Sequence, residues 1–219
     1  MFERCATQSG AHGLEGIPIV NYESVFAYGS LVNSRARPSG VHWVPGTLLG
    51  WIRQWMHCIE TPHGKICALT VTPDVRAEIA GAVLFQSADG LAELDERESG
   101  YRRVRVPVHL ERPDPITTEI DCFTYIGDSA HYKRGSDEYP IWRSYLDCVL
   151  VGYFELGGRG AMENFIASTQ GWDAPILDDR RMPLYPRAVA LTSDLERGID
   201  DTLAEHGLLK NLVKLPPTP

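Results

Sequence analysis

Glu98 and the run Tyr28-Gly29-Ser30-Leu31 are the residues of this 219-residue chain whose types and setting suit chemistry. Val25-Phe26-Ala27 is an apolar, strand-forming stretch that runs into that tetrapeptide and then into polar Asn33-Ser34-Arg35. This is the pattern of a buried strand ending in a sharp turn. Gly29 has no Cβ, so the chain there can take a φ closed to other residues and a ligand can approach the backbone. Successive N–H groups in such a turn point into one concavity, which binds a carboxylate or a developing oxyanion. Further along, Leu94-Asp95-Glu96-Arg97-Glu98-Ser99-Gly100-Tyr101 sets an acid at the end of a short helical pattern, ahead of a glycine, a tyrosine and a strand. That is a mount for a general base.

In order and separation these motifs resemble the γ-glutamylcyclotransferase-like family: Tyr-Gly-Ser-Leu after an N-terminal strand, Leu94-Asp95 leading to Glu98, Tyr101-Arg102-Arg103, then a valine-rich strand. The resemblance spans roughly residues 25 to 126. It implies that Tyr28, Gly29, Ser30 and Leu31 bind a γ-glutamyl group and that Glu98 is the acid/base. Tyr101 matches the family's tyrosine after the glutamate, although Ser99-Gly100 stands where many relatives place a glycine directly after the acid. Tyr101 and Tyr125 can close the pocket or hydrogen-bond the substrate, or can equally be barrel-core tyrosines with satisfied hydroxyls. The implied reaction is attack of the substrate's own α-amine on its γ-glutamyl amide, releasing 5-oxoproline and a free amine. No enzyme nucleophile, metal or organic cofactor is implied. The leaving amine is open: glutathione, γ-glutamyl dipeptides, a γ-glutamyl-lysine-type amine and a biosynthetic intermediate share the glutamyl half.

Two rival functions are weighed. A nucleophilic amide hydrolase would use a cysteine or serine with a histidine, and His57, Cys58, His63 and Ser30 are the candidates. His57 and Cys58 are adjacent on an expected strand and so point to opposite faces. A non-catalytic small-molecule binding protein with the pocket intact is the other alternative.

Composition narrows the classes. The chain has 29 acidic and 21 basic residues, a formal net charge of −8, and no basic block of the kind that neutralises phosphates. Nucleic acid is not an expected partner. No apolar run reaches the length of a membrane span, and residues 1–16 lack the apolar core of a secretory signal, so no membrane partner is expected and a cytoplasmic location is the default. Cys5, Cys58, Cys67, Cys122 and Cys148 are scattered, without C-x-x-C or zinc spacing, and read as reduced, mostly buried thiols. Oligomeric state is not legible.

The elements follow from pattern. Ile17–Val20 leads into the first strand, and residues 47–58 form an aromatic-rich strand with a bulge or bend at Gly50. The turn at residues 61–64 returns it through 66–71, and 78–85 is a separate strand. A helix capped by Asp89 buries Leu91 and Leu94 and ends at Gly100, with Glu93 and Glu96 facing water; on this register Glu98 can point the same way as Leu94, and the resemblance implies that it does. Val104, Val106, Val108 and Leu110 alternate with polar residues, and a turn at Pro113-Asp114-Pro115 returns the chain along 119–126. Strands outnumber helices to this point, so a twisted mixed or antiparallel sheet closing towards a barrel is expected.

After Pro140, Trp142, Tyr145, Leu146, Val149, Tyr153 and Leu156 mark an amphipathic helix with a core-facing aromatic stripe, stopped by Gly157-Gly158, with a shorter helical piece at 161–169. Residues 171–187 read as an ordered excursion. Arg180 and Arg187 are candidates for a substrate carboxylate or for pairing with Asp178 or Asp179. Ser193 and Glu196 form a capping box for a last helix that buries Leu195, Ile199 and Leu203 and ends at Gly207, before a disordered Pro216–Pro219 tail. The expectation is one α+β domain over 1–219, with a catalytic barrel core at 21–127, flanking helices, and an appended C-terminal helical layer at 140–210.

Overall fold

The computed structural model describes residues 22–111 and 118–214. The expectations for Cys5, Ile17–Val20, Pro113-Asp114-Pro115 and Pro216–Pro219 lie outside these residues.

Strand β1 (Glu23–Ala27) is short, whereas β2 (His42–Thr61) and β3 (Gly64–Gln86) form one long hairpin. The pieces expected at 66–71 and 78–85 are a single strand. Thr72-Pro73 does not break it because the β2–β3 register carries through Ile52↔Thr72 and Trp51↔Pro73; the irregularity follows, where Gly50 of β2, with φ +76°, faces residues 74–77 of β3 before pairing resumes at Leu49↔Glu78. Helix α1 (Ala88–Arg97) and strands β4 (Tyr101–Leu110) and β5 (Thr118–Gly127) follow. The sheet runs β3-β1-β5-β4-β2, and β2 pairs back onto β3, closing a barrel. Only the β1–β5 contact within the closed ring is parallel. Inside lie the alternating apolar residues, among them Val25, Leu48, Ile79, Val83, Val106 and Val108, all nearly inaccessible.

Ser87, not Asp89, caps α1, its hydroxyl accepting from the Gly90 N–H at 3.2 Å; Asp89 sits in the first turn, where its charge suits the helix dipole. Leu91 and Leu94 are buried as expected, and Glu93 and Glu96 are exposed.

Helix α2 (Arg143–Ala167) departs further from expectation. A two-residue strand, β6 (Ile141–Trp142), precedes it, and every residue from Arg143 to Tyr153 is buried, so this half is surrounded rather than amphipathic. Gly157 and Gly158 kink it, and the shorter helical piece is its continuation. No side chain of Trp142 caps α2. Asp179 does so from the 171–187 segment, accepting from the Ser144 N–H at 2.7 Å and the Ser144 hydroxyl at 2.5 Å.

The C-terminal layer is not purely helical. β6, β8 (Ile176–Asp178) and β9 (Leu212–Lys214) make a three-stranded parallel sheet, while β7 (Thr169–Gln170) adds to β2 of the barrel. The last helix, α3 (Ser193–Glu205), is capped by Thr192 rather than Ser193; Ile199 and Leu203 are buried and Gly207 follows at φ +68°. Glu196 does not reach back to its own helix end; it accepts from Arg180 at 3.1 Å.

Candidate functional site

The turn after β1 is a single 3-10 turn, Ser30–Val32, pinned from outside by α2. The Asn33 side chain donates to the Cys148 carbonyl at 2.7 Å, and Glu155 accepts from the Ser34 N–H and hydroxyl at 2.7 and 2.8 Å. A Cβ on Gly152 would stand 2.6 Å from the Asn33 nitrogen, so the helix lies directly against the turn. The Val32 and Asn33 N–H groups close the turn onto Gly29 and Ser30. Among the described residues no backbone carbonyl outside the helices and strands accepts from the N–H groups of Gly29, Ser30 or Leu31.

Gly29 is needed for space rather than for dihedral freedom. Its φ is −120°, but a Cβ there would meet the Tyr145 hydroxyl at 3.3 Å.

Tyr28, Gly29, Ser30, Leu31, Glu98, Tyr101 and Tyr125 all line one recess of about 40 Å³. The recess opens into a cleft of about 1130 Å³. Ser30, Glu98, Tyr101 and Tyr145 line both and form the junction between them.

Glu98 reaches the junction because it ends α1: its N–H still bonds the Leu94 carbonyl, and its own carbonyl accepts from the Tyr101 N–H at 2.7 Å. Thus Ser99-Gly100 forms a tight turn that keeps acid and tyrosine together. Its side chain is 18% exposed. Burial raises its pKa above the ordinary carboxylate value, and the nearby charges of Arg97 and Arg187 only partly oppose this. Arg97 Nε stands 3.0 Å from Glu98 Oε1, close enough for an ion pair but not aligned as a hydrogen bond. The same guanidinium donates to the Ala36 carbonyl and to Ser30 Oγ, the latter at 3.3 Å, tying acid to turn.

The tyrosines are committed to different degrees. Tyr28 donates to the Tyr125 carbonyl at 2.6 Å, Tyr101 to the Leu69 carbonyl at 2.9 Å, and Tyr125 to Asp95 at 2.8 Å. Burial pushes all of these hydroxyls, and that of Tyr145, above their ordinary values, so they are neutral at pH 7. Tyr145 alone of this group has no hydrogen-bond partner among the described residues; its ring packs on Trp55 and Tyr185. Tyr145 is what sequence reasoning missed, together with the tie that Arg97, legible only as a cation beside Glu98, makes to Ser30. Tyr145 falls on an apolar helical repeat that reads as core, and no local pattern places a helix residue over a glycine more than a hundred positions away.

The other candidates are not brought together. The Cys58 thiol donates to the Lys133 carbonyl at 3.4 Å, while His57 packs on Tyr101 with ring centroids 4.6 Å apart and neither ring nitrogen has a partner. Burial lowers the His57 pKa to about 4. Arg180 pairs with Asp147, Glu196 and Asp200 rather than with Asp178 or Asp179. Arg187 instead lines the cleft with Tyr185 and Pro186. No group of three or more His, Cys, Asp or Glu residues that could hold a metal occurs among the described residues, and none of their helices is long and apolar enough to cross a membrane.

The family described as "Gamma-glutamyl cyclotransferase, AIG2-like" matches residues 25–144. A solved structure named "Gamma-glutamyl cyclotransferase" is 19% identical, with 82% of this chain and 99% of that one covered at a TM-score of 0.56. An uncharacterized protein from Homo sapiens is similar at 19% identity, with 82% and 98% covered and a TM-score of 0.55. At this identity the likeness establishes the α+β barrel fold. No curated protein matches the chain.

Proposed function

The chain belongs to the gamma-glutamyl cyclotransferase, AIG2-like family, and on that premise we propose that it closes the γ-glutamyl group of a small amide into 5-oxoproline, releasing the amine. The observation that carries this reading is the junction: one desolvated carboxylate, Glu98, stands between a small recess and a large cleft, beside a turn whose Gly29, Ser30 and Leu31 N–H groups meet no backbone carbonyl outside the helices and strands among the described residues.

The reaction needs a neutral α-amine held against the γ-carbonyl, and at pH 7 that amine is an ammonium. The recess curls the glutamyl chain so that attack is intramolecular, where effective molarities reach about 10⁵ to 10⁸ M. Glu98 takes a proton from the ammonium, and the freed amine forms the N–C bond; the carboxyl gives that proton to the departing nitrogen as the amide C–N bond breaks and takes up the second proton that the ring nitrogen sheds, which leaves with the free amine as its ammonium. The raised pKa of Glu98 suits a group that must both accept and donate near neutrality. The N–H groups around Gly29 to Leu31 receive the charge that develops on the carbonyl oxygen, a contribution typically worth about 10² to 10³ per donor. Tyr145, with its uncommitted hydroxyl over Gly29, is placed to add a further donor. Tyr28, Tyr101 and Tyr125 hold the walls through bonds to backbone and Asp95.

The test is mass spectrometry of the protein incubated with a panel of γ-glutamyl amides. 5-Oxoproline with an equivalent of free amine is the expected product pair. Free glutamate in its place would transfer the reading to a hydrolase.

A further inference from the structure

The large cleft is the part of the site that lactam closure leaves unexplained, since closure requires only that the glutamyl half be held. At about 1130 Å³ the cleft exceeds the roughly 300–1,000 Å³ of pockets that enclose drug-sized ligands, far more than a single amino acid needs. Its walls come from the β2–β3 hairpin end, the α1–β4 connection, the segment after β5, the entry to α2, and residues 185–187.

The charges on those walls are unbalanced. Glu60 is paired with Lys65 at 3.3 Å, and Asp128, which accepts from the Ala130 N–H at 3.0 Å, is the one carboxylate of the described wall without an ion pair. Arg97 is occupied with Glu98. Arg102, Lys133 and Arg187, from three separate elements, have no ion pair with any described residue. Lys133 is nonetheless fixed, its ammonium 3.5 Å from the Tyr139 ring centroid, an arrangement that holds a cation without neutralising it. The chain as a whole carries a formal charge of −8. Unpaired cations converging on one concavity of an acidic protein repel one another and attract an anionic occupant.

Resting on the cyclotransferase reading above, we propose that the leaving half of the substrate is a peptide-sized amine whose remote end carries two or more negative charges on oxygen, carboxylate or phosphate, read by Arg102, Lys133 and Arg187. The glutamyl half occupies the recess, the scissile amide lies at Glu98, and the anionic remainder extends along the cleft over Tyr139 and Trp142.

The experiment compares kcat/KM for 5-oxoproline release across matched γ-glutamyl amides: a neutral peptide amide, a peptide with two carboxylates, and a phosphorylated amine. Both anionic amides are expected to exceed the neutral one by about tenfold or more at low ionic strength, with the ratio falling as salt is added. Whichever anionic amide is the faster identifies the oxygen chemistry. The combined R102Q/K133Q/R187Q variant is expected to bring the anionic-to-neutral ratio to about one, and the salt dependence of the wild-type ratio tests the same point if that variant does not fold. Equal turnover of neutral and anionic amides, or faster turnover of the neutral one, overturns this inference and leaves the reaction standing. No 5-oxoproline from any amide overturns the reaction, and this inference with it.

Discussion

Glu98 at the barrel mouth and Asp147 inside the C-terminal layer are both carboxylates withdrawn from water, yet they are held in opposite ways. Asp147 is 3% exposed, and Arg180 grips both of its oxygens, Nε at 2.7 Å and Nη2 at 2.8 Å. Arg180 also meets Glu196 and Asp200, and Arg143 bridges Asp178 and Asp200 at 3.0 and 2.5 Å. Burial alone would raise Asp147 and lower Arg180. At Asp147 burial prevails and its carboxyl lies above the ordinary value although Arg180 opposes this, while the paired hydrogen bonds hold Arg180 above its own. Glu98 has one unaligned arginine contact and an edge facing open space. A carboxylate chelated on both oxygens is a fixed anion that locks a structure. One that is desolvated but half neutralised can exchange protons. Burial is common to the two, and only the geometry of the partner separates them.

The sharpest way to break this contrast is to remove each charge. Glu98→Gln is expected to cut the turnover number by about 10² to 10⁴-fold with thermal stability retained, read by 5-oxoproline release and a melting curve. Asp147→Asn is expected to cost about 3 kcal/mol in urea unfolding, because it strands part of a buried arginine, while the folded fraction keeps its activity. Interchange of these two phenotypes would overturn the comparison.

A smaller effect is expected at the turn. Gly29→Ala puts a methyl group 3.3 Å from the Tyr145 hydroxyl, which should cost about 1 kcal/mol and lower activity. Adding Tyr145→Phe removes the opposing oxygen, so the double variant should regain stability without regaining activity. If it regains both, the Tyr145 hydroxyl contributes nothing to turnover.

The mildest effects are in pH dependence. Glu98 has a folded pKa above its usual 4.5, so its contribution to stability is present below about pH 4.5 and is lost as pH rises through the higher folded value. The acid limb of kcat/KM should accordingly lie above the ordinary carboxylate range, and Arg187→Gln, which removes an opposing cation, should move it higher still. His57 has the reverse sign. Its pKa falls from 6.5 to about 4 on folding, so stability it supports above pH 6.5 is lost as pH falls towards 4. Melting temperature against pH should be flatter over that window in His57→Leu than in the wild type.

Much of the barrel was legible because its information is local. The alternation Val104-Val106-Val108-Leu110, the turn at 61–64 and the Leu91/Leu94 spacing each depend on neighbours in the chain, and each appears where the pattern put it. The recess residues Tyr28 to Leu31, Glu98, Tyr101 and Tyr125 were nameable because they sit in short motifs at strand and helix ends, and they do line one recess. Caps were misplaced by one or two positions, since Ser87 competes with Asp89 and Thr192 with Ser193, and equivalent side chains are separated only by backbone geometry.

The amino-acid sequence by itself determined the strand-rich barrel and the glycine-bearing turn, through periodicity and turn chemistry that act over a few residues, and its resemblance to a family singled out Glu98 as the candidate carboxylate. Tertiary structure alone decided that α2 is buried on all sides, that Asp179 caps it, that β6, β8 and β9 pair in parallel, and that Tyr145 and Arg97 join the site. Those contacts link residues far apart in the chain, and they exist only once the barrel has closed and given each partner a surface to meet.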